Sequence, residues 1–144
     1  MLFRSDVDHR GIVGDRQGNR THHGRPWQAL CIWSIEVIEH LAREGHPIAS
    51  GSAGENVTTT GLDWTTIRSG QRLRIGTALV ETTTWAVPCR HNARWFSDGR
   101  FERIHHREGP VSRVYATVIE DWFGADSQEV LGQRFPTLPL LARQ

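Results

Sequence analysis

Between Glu55 and Thr84 the chain carries the β-branched runs Val57-Thr58-Thr59-Thr60, Thr65-Thr66-Ile67, Arg72-Leu73-Arg74-Ile75 and Ala78-Leu79-Val80-Glu81-Thr82-Thr83-Thr84, cut apart by Gly61, Gly70 and Gly76. Side chains branched at Cβ crowd a helical turn but fit a pleated surface, and glycine supplies the turns between them. Short strands at this spacing imply a compact antiparallel sheet or barrel. This pattern constrains the fold more than any other feature of the chain.

The flanking text is less uniform. Asp8 to Trp27 is polar, rich in Gly, His and Arg, and without helical or strand period, so it reads as ordered loop. Gln28 to Trp33 is an apolar run suited to a buried strand. Ser34 then offers an N-cap to a helix over Ile35–Glu44, whose Ile35, Ile38, Leu41 and Ala42 share a face, and Gly45 and Pro47 stop it. Further on, His91 to Phe96 reads as one or two helical turns and Ser97-Asp98-Gly99 as a turn. Residues 111–119 form a strand with Val111, Arg113, Tyr115, Thr117 and Ile119 on one face and Val114, Ala116 and Val118 on the other. Beyond Trp122 the strand pattern is lost.

Composition then excludes several function classes. A length of 144 residues suits one domain with a real core. All 17 basic residues are Arg, so there is no lysine to form a Schiff base with pyridoxal phosphate or to complete a P-loop. A net charge of +1, with both signs interspersed, lacks the positive field of a nonspecific nucleic-acid binder. Two cysteines make no disulfide framework, the N-terminus turns charged before a secretory stretch forms, and no apolar run is long enough for a membrane span. The expectation is a cytoplasmic protein with reduced thiols that engages neither membrane nor nucleic acid.

Cys89 is the first candidate for chemistry. It follows Pro88, precedes Arg90 and His91, and lies just past a predicted strand end; adjacent cations favour the thiolate, which is both nucleophile and metal ligand. A lone cysteine is also commonly a small buried hydrophobe, the reading that fits Cys31 inside its apolar run. The loop Gly51-Ser52-Ala53-Gly54-Glu55-Asn56 offers backbone N–H groups and an amide to a ligand, or else forms a tight turn whose own backbone Asn56 satisfies. Arg90 and Arg94 could hold a phosphate through their planar forks. The histidine pairs His22-His23 and His105-His106 lack a zinc-ligand frame, and the absence of G-x-S-x-G argues against a serine hydrolase.

In order along the chain, Gly14-Asp15, His22-His23-Gly24, Gln28-Ala29-Leu30, Gly54-Glu55-Asn56-Val57, Gly61-Leu62-Asp63-Trp64, Gly70, Arg72-Leu73-Arg74-Ile75-Gly76 and Pro88-Cys89 resemble the MOSC domain. This is the C-terminal domain of molybdenum-cofactor sulfurases, which also occurs as small stand-alone bacterial proteins. Trp95 to Phe101 and Ser112 to Ala116 resemble the stand-alone members. The resemblance implies an N-terminal extension (1–10), a MOSC-like β-barrel domain (11–120) and a divergent C-terminal tail (121–144).

The resemblance implies a mainly β fold with one or two helices, a partly closed barrel of the MOSC and pyruvate-kinase β-barrel-like type. Members usually place strands ahead of the Gly-Asp loop and after the Tyr-containing strand where this chain does not match, so edge strands are expected to be missing and a homodimer could cover the open edges. The resemblance makes Cys89 the catalytic residue, as a sulfur carrier or as the thiolate ligand to molybdenum. Asn56 and Glu55 would line the cleft, His23 and Asp15 would shape it, and Arg90 and Arg94 would meet the phosphate of a molybdenum cofactor. In that setting the protein would reduce N-hydroxylated compounds such as hydroxylamino-purines, a detoxification, with electrons from a separate reductase, or take sulfur from a donor protein. The competing expectation is a noncatalytic module that binds a phosphate-bearing ligand and keeps Cys89 as a buried structural cysteine.

Overall fold

The computed structural model describes residues 6–15, 25–106, 112–118 and 137–138. The glycine-cut runs do become strands. Arg72–Ile75 (β5) and Ala78–Trp85 (β6) form an antiparallel hairpin around Gly76, whose φ of 61° is the left-handed conformation the turn needs. β6 continues antiparallel onto Val114–Val118 (β7), and β7 onto Leu30–Ser34 (β3).

Two pairings depart from an all-antiparallel sheet. Val57–Thr59 (β4) runs parallel to β3, and Thr137–Leu138 (β8), from the C-terminal segment, runs parallel to β5. The first follows from connectivity: the helix Ile35–Arg43 (α1) stands between β3 and β4, and a strand–helix–strand passage returns the chain in its original direction. Strands β4-β3-β7-β6-β5 make one curled half-barrel sheet with β8 at its far edge. The expected mainly β, partly closed architecture is therefore present. A separate ribbon pairs Val7–Asp8 (β1) with Gly11–Ile12 (β2).

The expected strand at Thr65-Thr66-Ile67 is instead part of a 3-10 turn over Trp64–Thr66. Asp63 explains the difference: its carboxylate accepts from the Thr65 N–H (3.1 Å) and hydroxyl (2.6 Å), and this local capping outweighs β-propensity. Helix α1 matches its signals. The Ser34 hydroxyl accepts from the Val37 N–H (3.3 Å), and at the other end Gly45 (φ 91°) and His46 donate to the carbonyls of Ala42 and Leu41 in a Schellman arrangement. Ile38 and Leu41 are buried, whereas Ala42 is exposed.

Leu30, Ile32, Trp33, Leu73, Val80, Val114, Ala116 and Val118 form the main core with Ile38 and Leu41 of α1. Each fully buried aliphatic side chain of this size contributes about 1.5–3 kcal/mol. No helix among the described residues is long and apolar enough to cross a membrane.

Candidate functional site

Strand alternation places Cys31 of β3 and Tyr115 of β7 opposite one another in register, on the sheet face turned away from Leu30, Ile32, Val114 and Ala116. With Ala86 they form a small cluster separate from the main core. Cys31 is thus buried, as its apolar run implied, but not in the main core.

Three connections build the site around this pair. Asn56 faces the middle of β3: its N–H donates to the Cys31 carbonyl (3.0 Å) while its Oδ1 accepts from the Cys31 N–H (2.8 Å). Glu55, with 0% exposure, accepts the Gly51 N–H and closes the small-residue turn. Ahead of β7, Ser112 and Arg113 are fixed from two sides. Trp64 Nε1 donates to the Ser112 carbonyl (2.9 Å), and the Ala86 N–H donates to the Arg113 carbonyl (2.8 Å).

An irregularity in β6–β7 pairing between Thr82 and Trp85 redirects the end of β6. Pro88, which lacks an N–H, then releases the chain, and Cys89 begins a 3-10 segment over Arg90–Trp95. Cys89 is exposed. Its N–H donates to Asn92 Oδ1 (3.2 Å), and its Sγ lies 3.6 Å from that oxygen. Asn92 Nδ2 in turn donates to the Ala53 carbonyl (3.3 Å), which also accepts from Arg113 Nη1. A continuous chain of hydrogen bonds therefore joins Cys89 to the Gly51–Glu55 turn and to Arg113.

The electrostatics separate the two thiols. Burial pushes the Cys31 thiol up to about 11; the Arg113 charge and its hydrogen bond oppose this and Glu55 adds to it, so Cys31 stays protonated at neutral pH. Burial likewise raises the Tyr115 phenol to about 12, with Cys31 and Cys89 adding and Arg113 opposing. The phenol is a hydrogen-bond donor at any physiological pH.

Of the residues expected at the site, the structure brings together Cys89, Glu55 and Asn56. Arg90 and Arg94 are exposed on the 3-10 segment beside Cys89, and the Arg94 guanidinium lies 4.9 Å over the Trp95 ring. Asp15 sits on the β1–β2 ribbon, in the exposed turn after β2, where its N–H donates to the Ile12 carbonyl (3.0 Å). His23 lies outside the described residues. The alternative that Cys89 is a buried structural cysteine is corrected by its exposure: the Pro88 break and the capping position turn it outward.

Sequence reasoning missed Asn92 and Arg113. A Cys-x-x-Asn spacing at a predicted helical start is a capping-box pattern with Cys in place of Ser, and it would have pointed to Asn92. Nothing local marks Arg113, which reaches the turn only through the β6–β7–β3 pairing.

The MOSC domain family model matches residues 19–127. Over 121 residues the chain is 27% identical to protein YiiM of Escherichia coli (strain K12), covering 81% of this chain and 54% of that protein. Over 100 residues it is 30% identical to the uncharacterized protein YflK of Bacillus subtilis (strain 168), covering 67% of this chain and 42% of that one. The crystal structure of YiiM from Escherichia coli superimposes with a TM-score of 0.61 at 26% identity, covering 78% of this chain and 53% of the other. That of YiiM from Geobacillus stearothermophilus gives 0.54 at 28% identity, covering 64% and 47%. The chain spans about half the length of the relatives it matches. With a family match over most of the sequence and the same fold in structures that share a quarter of its residues, the chain belongs to the MOSC domain family.

Proposed function

We propose that the domain binds a molybdenum cofactor through Cys89 and, so loaded, reduces N-hydroxylated compounds with electrons from a partner protein. The observation that carries this reading is an exposed thiol tethered at both its backbone N–H and its Sγ by one buried amide. The Sγ contact is made by the protonated thiol, but the backbone N–H bond persists in the thiolate and keeps a ligand sulfur in place, whereas a thiol that carries sulfur between proteins gains from mobility.

The donor set also fits. Among the described residues no group of three or more His, Cys, Asp and Glu gathers, so these residues do not form a cage for a bare cation. A single soft thiolate suits a metal that arrives with its own pterin-borne ligands, and the family is associated with this cofactor in general. When bound, the cofactor supplies the two-electron chemistry that removes oxygen from an N–O bond. The chain's own residues do the rest: Cys89 holds, Asn92 and the Gly51–Asn56 turn orient, Arg90 and Arg94 meet phosphate, and the Tyr115 phenol keeps its proton. In this reading electrons come from a partner reductase, since the two cysteines of this chain are too few for an Fe–S cluster of the four-cysteine type.

Metal analysis tests this directly. Protein purified from a molybdenum-replete host should carry about one molybdenum per chain, lost in Cys89→Ser. Absence of molybdenum, together with one sulfur added to Cys89 by a cysteine desulfurase, would replace this reading with the sulfur-carrier one.

A further inference from the structure

Asn92 is 4% exposed in a segment whose neighbours Arg90, His91 and Arg94 face solvent. A carboxamide buried in such a place needs partners, and its contacts allow one orientation only. Nδ2 faces the Ala53 carbonyl, which can only accept; Oδ1 faces the Cys89 N–H, which can only donate. Turning the amide over would oppose two acceptors at one end and two donors at the other. The atom held 3.6 Å from Cys89 Sγ is therefore always the oxygen.

We propose that Asn92 is the positioning residue of the Cys89 thiol, and that it makes the thiol's placement depend on the Gly51–Glu55 turn. This rests on the reading of Cys89 as the working thiol. Two contacts to one oxygen, from the backbone N–H and from Sγ, select one side-chain rotamer of Cys89. The other end of the same rigid amide is fixed to Ala53, whose carbonyl is also held by buried Arg113. The turn is braced internally by Gly54 N–H to the Gly51 carbonyl (3.2 Å), Ser52 N–H to the Ala49 carbonyl (3.0 Å) and Gly51 N–H to Glu55. Turn and thiol thus share one strut, and a ligand that shifts the turn shifts the sulfur.

Two variants of the full chain take the strut apart. Asn92→Ala removes both ends, whereas Asn92→Asp keeps an acceptor for the Cys89 N–H but has no donor for Ala53. The readouts are the Hα–Hβ couplings of Cys89, which report its rotamer, the rate at which iodoacetamide alkylates it at neutral pH, and hydrogen exchange at the Gly54 amide. In Asn92→Ala the couplings should average over rotamers and alkylation should quicken by about fivefold, the population change one neutral hydrogen bond supports. In Asn92→Asp the single rotamer should persist while Gly54 exchanges faster. A folded Asn92→Ala protein that keeps one Cys89 rotamer and the wild-type alkylation rate overturns the proposal. Should that variant not fold, unchanged Gly54 exchange in Asn92→Asp overturns the link to the turn. Wild-type protein holding neither molybdenum nor sulfur would instead remove the proposed function while leaving these rotamer measurements intact.

Discussion

Substituting Glu36 by Gln should remove a pH-dependent contribution to stability that is visible in the hydrogen bonds at the start of α1. The Glu36 carboxylate accepts from the Ser34 hydroxyl (2.5 Å), the Gly61 N–H (2.7 Å) and the Thr60 hydroxyl (3.0 Å), tying the helix to the end of β4. Partial burial opposes its ionisation, but the bonds from Ser34, Gly61 and Thr60 outweigh that and hold the carboxyl down to about 2, against an ordinary 4.5. Taken in full, the drop would be worth about 3 kcal/mol. Glu36 is exposed, however, and solvent screening reduces the expected contribution to about 1 kcal/mol. Because the folded-state value is depressed, this stability is complete above pH 5 and is lost as pH falls from the unfolded-state value toward about 2. Gln keeps the length of the side chain but has no charge and only one acceptor oxygen, so it cannot accept both from Ser34 and from the Gly61–Thr60 end as the carboxylate does. Urea unfolding of both proteins at a series of pH values should show Glu36→Gln about 1 kcal/mol less stable at pH 7, or about 3 °C lower in Tm, with the gap narrowing below pH 4. A gap that stays constant down to pH 2.5 would show that the charge on Glu36 is not its source.

Alkaline conditions probe the site face. Cys31 and Tyr115 are raised on folding, to about 11 and about 12, so the stability tied to their protonated forms is whole below their unfolded values and declines as pH climbs through the folded ones. Cys31→Ala should flatten the stability profile between pH 9 and 11; an unchanged alkaline limb would contradict the assignment. Trp64→Phe leaves the Ser112 carbonyl without its indole donor and should cost about 1–3 kcal/mol in chemical denaturation, whereas a loss below a few tenths would mean that the contact at 2.9 Å contributes little.

How legible the molecule was depends on how local each signal is. Ser34 and Gly45 bracket α1 through bonds within a few residues, and β5 and β6 meet across a single turn at Gly76, so all were readable. At Thr65 and Thr66, side-chain capping by Asp63 overrides propensity, and Asp63 is the local mark of that turn. Cys89, Glu55 and Asn56 stood out because each adjoins a break or a small-residue turn. Asn92 and Arg113 did not, because their meeting at Ala53 joins positions 39 and 60 residues apart, and no spacing along the chain records it.

The Cys31–Tyr115 pairing also sets limits on how this domain can diverge. Along β3 and β7, Leu30, Ile32, Val114 and Ala116 face the main core while Cys31 and Tyr115 face the site, so a slip of one position would drive the thiol and phenol into the main core and turn those four apolar side chains toward the site face. The strands therefore cannot be retuned for a new ligand without dismantling the core. Variation in what such a domain accepts is left to the Gly51–Asn56 turn and the segment after Pro88, where residues can change, lengthen or exchange charge while the sheet stays as it is.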